Sequence, residues 1–170
     1  MDTERRRLLQ WGGAAALVGA LGIYSFGRRG GAAETETFEV MHTIEEWKKL
    51  LTPNQFKVLR EAATERPFTS PLNDEHRHGI FACAGCDLDL FASETKFDSG
   101  TGWPSFYKPL DNAVGTTRDT TFGMIRTAVH CRRCGGHLGH VFDDGPKPTG
   151  LRYCMDGFAL QFHPAGPQAS

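Results

Sequence analysis

The sequence of 170 residues has little net charge, few cysteines and no internal repeat. Its formal net charge is −1, and residues 1–33 contribute +3, since five arginines there outweigh Asp2 and Glu4, so the remainder carries −4. A negatively charged folded part lacks the excess of lysine and arginine that binds nucleic acid through its phosphates. We therefore expect no nucleic-acid partner, and a chain of this length predicts one domain.

Long hydrophobic runs are also lacking, except at the amino terminus. The string RRRLLQ at residues 5–10 precedes an uncharged, largely apolar run over residues 11–26, which is the order of a secretory signal. RRRLLQ resembles a twin-arginine export signal, and Gly31-Ala32-Ala33 offers a cleavage site. We expect residues 1–33 to be this signal and the protein to be exported to the periplasm. The alternative is an uncleaved membrane anchor through residues 8–26.

We expect a linker over residues 34–41 and two or three short helices after it. Thr43 with Glu46, and Thr52 with Gln55, have the spacing of a capping box, in which the first hydroxyl and the side chain three residues later bind each other's backbone amides. The string Arg66-Pro67 predicts the end of the second helix. The apolar positions of the two helices fall on one face each: Ile44, Trp47 and Leu51, then Phe56, Leu59 and Ala63.

Beyond residue 71, Gly, Asn, Asp and Pro recur every few residues and no stretch keeps a helical period. We therefore predict a mainly β fold, an irregular antiparallel β domain in which a zinc ion joins distant loops. The folded domain is expected over residues 42–164, with a tail over residues 165–170. The runs that predict strands are His78–Ala82, Leu88–Phe91, Thr121–Val129, Val141–Phe142 and Arg152–Phe162.

The five cysteines divide into two matched pairs and one single residue. Cys83 with Cys86, and Cys131 with Cys134, each form a C-x-x-C motif with glycine inside it or directly after it. Two such motifs supply the four thiolates of a tetrahedral structural zinc site, which leaves no open position for catalysis. Disulfides in an exported protein, or a redox-active C-x-x-C, are the alternatives.

The remaining cysteine, Cys154, has no such partner. In a predicted strand it shares one face with Arg152 and Asp156, and a guanidinium beside a thiol favours the reactive thiolate. His137 and His140 lie upstream, and an imidazole can activate a thiol or protonate a leaving oxygen. Cys154 is thus a candidate nucleophile. A buried small hydrophobic residue is the alternative, and the histidines could instead extend the metal site.

Three motifs together resemble the methionine-R-sulfoxide reductases of the B type. They are SGTGWPSF at 99–106, CRRCGGHLGHVFDDGP at 131–146 and PTGLRYC at 148–154. The resemblance covers about residues 42–164. It implies the zinc-bearing antiparallel fold called the β-tent, or Mss4-like fold, and the reduction of methionine-R-sulfoxide, in proteins or free, to methionine.

The same resemblance implies a role for each residue of the site. Cys154 attacks the sulfoxide sulfur, while His137 and His140 bind the sulfoxide oxygen and help to protonate it. Trp103, which could otherwise be plain core, forms an apolar wall for the S-methyl group. The remaining expected positions are Arg152 and Asp144, which order the site, Asp156 beside the substrate, and the structural zinc ligands Cys83, Cys86, Cys131 and Cys134.

Two positions depart from the family pattern. Thr101 stands where many members have a resolving cysteine, so we expect a thioredoxin-like protein or another external thiol to regenerate Cys154. Asp156 stands where asparagine is usual; its charge would disfavour a thiolate, whereas its protonated form could donate a proton. The alternative function is therefore a zinc-stabilised binding module with impaired catalysis. Otherwise we expect a monomer that repairs oxidised proteins during oxidative stress.

Overall fold

The computed structural model describes residues 37–166. The chain divides into Met1–Thr35 and Glu36–Ser170, and all described residues belong to the second unit. The predicted signal over residues 1–33, the start of the predicted linker and the end of the predicted tail lie outside the described residues. None of the helices within residues 37–166 has the length and apolar character needed to cross a bilayer.

Both predicted capping boxes are present. Helix α1 (Ile44–Leu50) follows the N-cap Thr43, and helix α2 (Pro53–Glu61) follows the N-cap Thr52. Pro53 occupies the first turn, where its missing amide would have no helical acceptor in any case. Helix α2 ends at Ala62, whose backbone is left-handed (φ 53°), and so it stops short of the predicted end at Arg66-Pro67.

The predicted apolar faces of the helices are confirmed in part. Trp47 and Leu51 are buried, as are Phe56 and Leu59. Ile44 is 64 % exposed, so its predicted place on the buried face is wrong. Helix α1 has only seven residues, and Trp47 is the one of them that is buried.

The predicted antiparallel β architecture is confirmed, as two sheets within residues 37–166. One sheet has the order β2-β1-β9 and the other has the order β3-β4-β8-β7-β6-β5. The strands are β1 (Gly79–Cys83), β2 (Asp89–Ala92), β3 (Lys96–Phe97), β4 (Ser105–Phe106), β5 (Val114–Asp119), β6 (Arg126–Cys131), β7 (His137–Phe142), β8 (Arg152–Met155) and β9 (Leu160–Pro164).

Some predicted strand limits differ from the structure. The predicted strand Thr121–Val129 opens with a 3₁₀ turn at Thr121–Gly123, and β6 starts only at Arg126. The predicted strand Arg152–Phe162 is interrupted by a 3₁₀ turn at Gly157–Ala159, which separates β8 from β9 and sends them to different sheets. A propensity pattern does not distinguish one long strand from two strands that a tight turn redirects.

Three phenylalanines from β1, β2 and β4 connect the two sheets. Phe81, Phe91 and Phe106 are fully buried, and the rings of Phe91 and Phe106 stack with their centroids 4.4 Å apart. Phe81 meets Phe106 edge-to-face at 5.0 Å. Burial of such aromatic side chains contributes about 1.5–3 kcal/mol each, and the cluster fixes β4 against the smaller sheet.

Strand β8 lies between β4 and β7 in the larger sheet. Cys154 on β8 is therefore directly opposite Ser105 on one side and His140 on the other. Directly opposite residues of antiparallel strands have their side chains on the same face. The sheet thus brings a hydroxyl, a thiol and an imidazole together on three adjacent strands.

Candidate active site and metal centre

Four cysteine side chains converge at one point between the two C-x-x-C turns. Cys83 Sγ lies 3.7 Å from Cys134 Sγ, and Cys86 Sγ lies 3.5 Å from Cys131 Sγ. All four sulfurs lie within 4.8 Å of one another. Zn–S bonds of about 2.3 Å in a tetrahedron require S···S separations of about 3.8 Å. The four residues are therefore positioned to bind one metal ion, as predicted, and the donor set suits a structural zinc.

Hydrogen-bond donors lie beside two of the four sulfurs, and such donors stabilise negatively charged thiolates. Arg60 Nη2 lies 3.6 Å from Cys134 Sγ, and Arg60 Nη1 donates to the Cys134 carbonyl. The Gly85 amide donates to Cys83 Sγ at 3.4 Å. All five cysteines are free of disulfides, and neither His137 nor His140 belongs to the metal-ligand group. The alternatives of a disulfide pair and of histidine ligands gain no support from this geometry.

The described end of the predicted linker is held against the second cysteine turn. The Val40 amide donates to the Arg133 carbonyl at 3.0 Å, and Glu39 forms an ion pair of 2.7 Å with Arg132. The Phe38 ring meets His130 edge-to-face, with 5.7 Å between the ring centroids. Residues 38–40 are therefore part of the folded unit.

Cys154 opens into a small cavity of about 120 Å³. The residue is half-buried and belongs to no disulfide, so it is neither a fully buried hydrophobic residue nor a bridged thiol. The cavity combines this thiol with aromatic rings, an imidazole, a guanidinium and a carboxyl group. Its lining residues are Thr64, Trp103, Arg126, Gly139, His140, Phe142, Cys154 and Asp156.

An irregularity in β7 places both predicted histidines on the same side. Val129 pairs with Gly139, and His130 pairs with His137, so Leu138 is an extra residue without a partner on β6. Such a bulge shifts the alternation of side chains by one. The rings of His137 and His140 consequently meet edge-to-face, 5.4 Å between centroids, although residues three apart in a regular strand point to opposite faces.

The two histidines nevertheless have different surroundings. His140 lines the cavity beside Cys154, whereas His137 lies behind it and lines a separate cavity with Phe38 and Leu59. Burial first, and then the neighbouring His140, lower the pKa of His137 to about 4. Its Nε2 has no hydrogen-bond partner among the described residues. His137 is therefore a neutral imidazole that supports His140 from behind.

Asp119 orients His140, and sequence reasoning missed it. Asp119 Oδ2 lies 2.8 Å from His140 Nε2 and 2.6 Å from Arg126 Nη2. The pKa of Asp119 is held well below its usual range, chiefly by the backbone amide and hydroxyl of Thr121 and then by His140. Its carboxylate is thus a permanent anion beside the imidazole. The position is opposite Arg126 in the register of β5 and β6, which no local motif reveals.

The Cys154 thiol is less acidic than the sequence suggested. Burial raises its pKa, whereas the Thr101 hydroxyl, the Arg152 guanidinium and the Ser105 hydroxyl lower it, and the Asp156 carboxyl opposes them. The expected effect of Arg152 therefore has the right sign, but burial outweighs it. The free protein keeps this sulfur mainly as a thiol at neutral pH.

Arg152 acts from behind the site, where it does not line the cavity. It donates two hydrogen bonds of 2.8 Å to the carboxylate of Asp144, and its guanidinium lies 4.3 Å from the centroid of the Phe142 ring. Paired, bidentate geometry of this kind fixes both partners. Arg152 and Asp144 thus hold Phe142, which is a wall of the cavity, and the ordering role that the resemblance implied for them stays a prediction.

Trp103 and Asp156 reach the cavity from its opposite side, and Glu65 joins them. The Trp103 indole donates to the Glu65 carbonyl at 3.2 Å, and the Glu65 amide donates to Asp156 Oδ1 at 2.8 Å. The Gly157 amide in turn donates to the Glu65 carboxylate. Sequence reasoning missed Glu65 because it lies outside any helix or strand, between α2 and the first 3₁₀ turn.

Comparison with known proteins identifies the family. A model described as the SelR domain matches residues 51–164, a range that contains the four metal cysteines, Cys154 and both histidines. This chain belongs to the SelR family. The SelR match ends at Pro164, the last residue of β9, so it spans both sheets of the described structure.

Three curated relatives of this SelR protein are each named peptide methionine sulfoxide reductase MsrB. One from Pseudomonas putida (strain W619) is 58 % identical over 123 residues, which is 72 % of this chain and 92 % of the relative. One from Agrobacterium fabrum is 54 % identical over 120 residues, 70 % of this chain and 89 % of the relative. One from Bradyrhizobium diazoefficiens is 53 % identical over 135 residues, 78 % and 97 % respectively.

Proposed function

We propose that this protein reduces methionine-R-sulfoxide to methionine, with Cys154 as the nucleophile. The observation that carries the proposal is the direct opposition of Cys154 and His140 on adjacent strands, in one cavity with Trp103. Membership of the SelR family and the name that its relatives bear support the same reaction.

The chemistry begins with attack of the Cys154 sulfur on the sulfoxide sulfur. A sulfoxide oxygen is a poor leaving group until it is protonated, so a proton must reach it as the new bond forms. His140, which Asp119 orients, is placed to bind that oxygen and give the proton. The oxygen also takes up the thiol proton and leaves as water, while an S–S bond joins Cys154 to the substrate sulfur. Water then attacks the Cys154 sulfur and returns a proton to the imidazole; the S–S bond breaks with its electron pair going to the departing methionine, and Cys154 remains as a sulfenic acid. His137 keeps His140 in place as a neutral neighbour.

Selection between the two sulfur epimers comes from the wall opposite the imidazole. The Trp103 ring offers an apolar face for the S-methyl group, and its hydrogen bond to Glu65 fixes the angle of the ring. The oxygen is directed to His140 and the methyl group to Trp103. In this orientation only one of the two epimers presents its sulfur to Cys154. Asp156 completes the substrate side of the cavity.

Regeneration of Cys154 requires a thiol from outside the described residues. The other four cysteines of the sequence all belong to the metal-ligand group, and Thr101 lies beside the nucleophile. A thioredoxin-like protein or a small thiol therefore removes the oxygen as water and leaves its own disulfide. Oxidised proteins with exposed methionine-R-sulfoxide are the substrates that suit an open, shallow cavity of this kind, and their repair is the physiological role.

Export of a monomer is a separate part of the proposal. It rests on the RRRLLQ string and the apolar run that follows, with a membrane tether through residues 8–26 as the uncleaved form. Fusion of residues 1–40 to a reporter, with and without Arg6→Lys and Arg7→Lys together, tests it. Periplasmic reporter that disappears in the double variant supports export, and a reporter retained inside the cell in both forms opposes it.

The reductase proposal is tested with racemic methionine sulfoxide and the metal-loaded full chain. Without a thiol we expect about one methionine per chain, all of it from the R epimer, and continuous turnover once dithiothreitol is added. Cys154→Ser should abolish both. Consumption of the S epimer would contradict the proposal. No turnover by a folded, metal-loaded sample would favour the alternative, a zinc-stabilised binding module with impaired catalysis.

A further inference from the structure

Three hydroxyl groups form a continuous hydrogen-bonded chain that ends at the nucleophile. Thr101 Oγ1 lies 3.7 Å from Cys154 Sγ, a normal separation for a hydrogen bond to sulfur. Ser99 Oγ lies 2.8 Å from Thr101 Oγ1 and 2.7 Å from Ser105 Oγ. Ser105 Oγ in turn is 3.1 Å from the Trp103 carbonyl oxygen. The chain therefore runs from the sulfur to a backbone acceptor beside the substrate wall.

The loop between β3 and β4 is shaped to make this chain. Gly102 has a left-handed backbone (φ 94°), and a Cβ there would lie 2.7 Å from the Phe68 amide nitrogen, so a larger residue does not fit. The Asp98 carboxylate accepts the Gly100 amide at 2.9 Å, which closes the turn. Ser105 is fully buried and directly opposite Cys154, so its hydroxyl has no access to solvent.

Each hydroxyl carries one proton, and this gives the chain two possible directions. In one direction the thiol donates to Thr101, which donates to Ser99, which donates to Ser105, which donates to the Trp103 carbonyl. In the other direction Ser105 donates to Ser99, Ser99 to Thr101, and Thr101 to the sulfur. A thiolate has no proton to give, so it excludes the first direction and requires Thr101 to donate to the sulfur.

We propose that the chain Ser105–Ser99–Thr101 reverses its hydrogen-bond direction when Cys154 loses its proton, and that Thr101 then stabilises the attacking thiolate as a donor. Thr101 contacts the reacting atom and is in that sense catalytic, whereas Ser99 acts through Thr101 as a positioning residue. The proposal deepens the proposed function at the same cysteine, but the ionisation that it describes can be measured without turnover.

The other groups around Cys154 do not supply a donor that reorients when the thiol ionises. Arg152 interacts with the sulfur and lowers the pKa of the thiol, but two hydrogen bonds to Asp144 fix its guanidinium, which is a donor in either state of the thiol. Asp156 opposes ionisation by its charge. His140 faces the sulfur from β7 with its Nε2 bound to Asp119. On the β4 side of the sulfur the polar groups are neutral hydroxyls, and these are the groups free to reorient.

The test is the pH dependence of alkylation of Cys154 in the metal-loaded full chain. Iodoacetamide reacts with the thiolate, and mass spectrometry of the Cys154 peptide separates this sulfur from the four metal-bound ones. The variants are Thr101→Val, which keeps the shape and removes the hydroxyl, Thr101→Ser, which restores it, and Ser99→Ala. Thr116→Val, at an exposed position of β5, is the matched control for loss of a hydroxyl.

We expect Thr101→Val to raise the apparent pKa of Cys154 by about 1 unit, since a hydrogen bond to a charged group contributes about that much. Ser99→Ala should raise it by about half a unit, although Ser99 does not donate to the sulfur. Thr101→Ser and Thr116→Val should leave it within about 0.3 unit of the wild type. Circular dichroism and metal content establish that each variant is folded.

An unchanged pKa in Thr101→Val would overturn the proposal. A raised pKa of Cys154 in Thr101→Val with an unchanged pKa in Ser99→Ala would also overturn it. The hydrogen bond from Thr101 would then act by itself, without the rest of the chain. Both results are independent of reductase activity. Absence of turnover in the wild type would thus count against the proposed function while the alkylation profile still decided the question of the hydroxyl chain.

Discussion

The backbone amide of Glu65 donates a hydrogen bond of 2.8 Å to the carboxyl group of Asp156, and both residues are buried. Glu65 follows α2, whereas Asp156 follows β8, so the bond ties the helical segment to the strand that carries Cys154. Burial raises the pKa of Asp156 from its ordinary 3.8 to about 7; the Glu65 amide opposes this shift, and the Glu65 carboxyl group adds to it. The consequence is a carboxyl group that titrates in the physiological range.

Replacement of Asp156 should make stability less dependent on pH. A carboxyl group whose folded pKa is raised binds its proton more tightly in the folded state, so its contribution is full below about pH 4 and is lost as the pH rises to 7. Asp156→Asn removes this loss and keeps an oxygen for the Glu65 amide. We compare the free energy of unfolding of the variant with that of the wild type. This difference should shift in favour of the variant by up to about 4 kcal/mol between pH 4 and pH 8. Urea unfolding at both pH values measures it, and an equal difference at both would contradict it.

The same substitution should make Cys154 more acidic. Cys154 loses its proton above neutral pH, where Asp156 is already ionised and its charge disfavours a second anion nearby. Asp156→Asn should therefore lower the apparent pKa of Cys154 and raise the thiolate fraction at pH 7 to 8. The rate of iodoacetamide alkylation against pH reports it. An unchanged or higher pKa in the variant would show that the Asp156 charge does not reach the sulfur.

Asp119→Asn should slow the reaction without unfolding the protein. Loss of the anion that fixes His140 Nε2 leaves the imidazole without its orienting partner, and we expect a fall of about 10- to 100-fold in the single-turnover rate of methionine formation, with a changed pH profile. The fold offers a matched control, because Asp87, in the turn between β1 and β2, pairs at 2.6 Å with His163 on β9. Asp87→Asn should leave rate and profile unchanged. Similar losses in both variants would point to a general structural effect.

Removal of one metal ligand should separate stability from chemistry. Cys86→Ser leaves three thiolates for the ion, and because metal binding contributes directly to folding we expect loss of the metal and a fall in Tm of at least about 10 °C. Cys154→Ser should keep one metal ion per chain and the wild-type Tm while it abolishes activity. Metal analysis and thermal melts measure both. A Cys154→Ser protein that lost its metal would show that the two sulfur sites are coupled.

The sequence predicted those parts of the structure that depend on local chemistry. The capping boxes at Thr43 and Thr52 need only residues three positions apart, and they are present. The cysteine cluster needs two short turns and one ion, because tetrahedral coordination leaves little freedom in how four sulfurs meet. Family motifs added Cys154, His140 and Trp103, which the fold brings to one cavity.

The parts that depend on register or on a distant segment could not be predicted. Strand β5 has a polar sequence, VGTTRD, and none of its six residues is buried, so it shows no apolar alternation. Without β5 there is no pairing of Asp119 with Arg126, and hence no reason to place Asp119 beside His140. Glu65 binds Asp156 across 91 positions of the chain. No sequence pattern specifies such a contact before the fold is known.

His140 and His137 should differ in importance although the motif presents them as equals. His140 is directly opposite Cys154 and lines the same cavity, so His140→Asn should lower the single-turnover rate by about 100-fold. His137 lies behind it, and its pKa of about 4 keeps it neutral near pH 7, so it cannot be the proton donor there. We expect His137→Asn to lower the single-turnover rate by about 10-fold, because His140 would be placed less well.

Two measurements decide between the histidines. Single-turnover rates of the two variants at pH 7 give the ratio directly, and NMR titration of the His137 ring should show it still neutral at pH 6. A larger loss in His137→Asn than in His140→Asn, together with a His137 ring that protonates near pH 7, would assign proton transfer to the buried imidazole. The cavity beside Cys154 would then have to open toward His137 during catalysis, because in this structure His140 separates His137 from the substrate space.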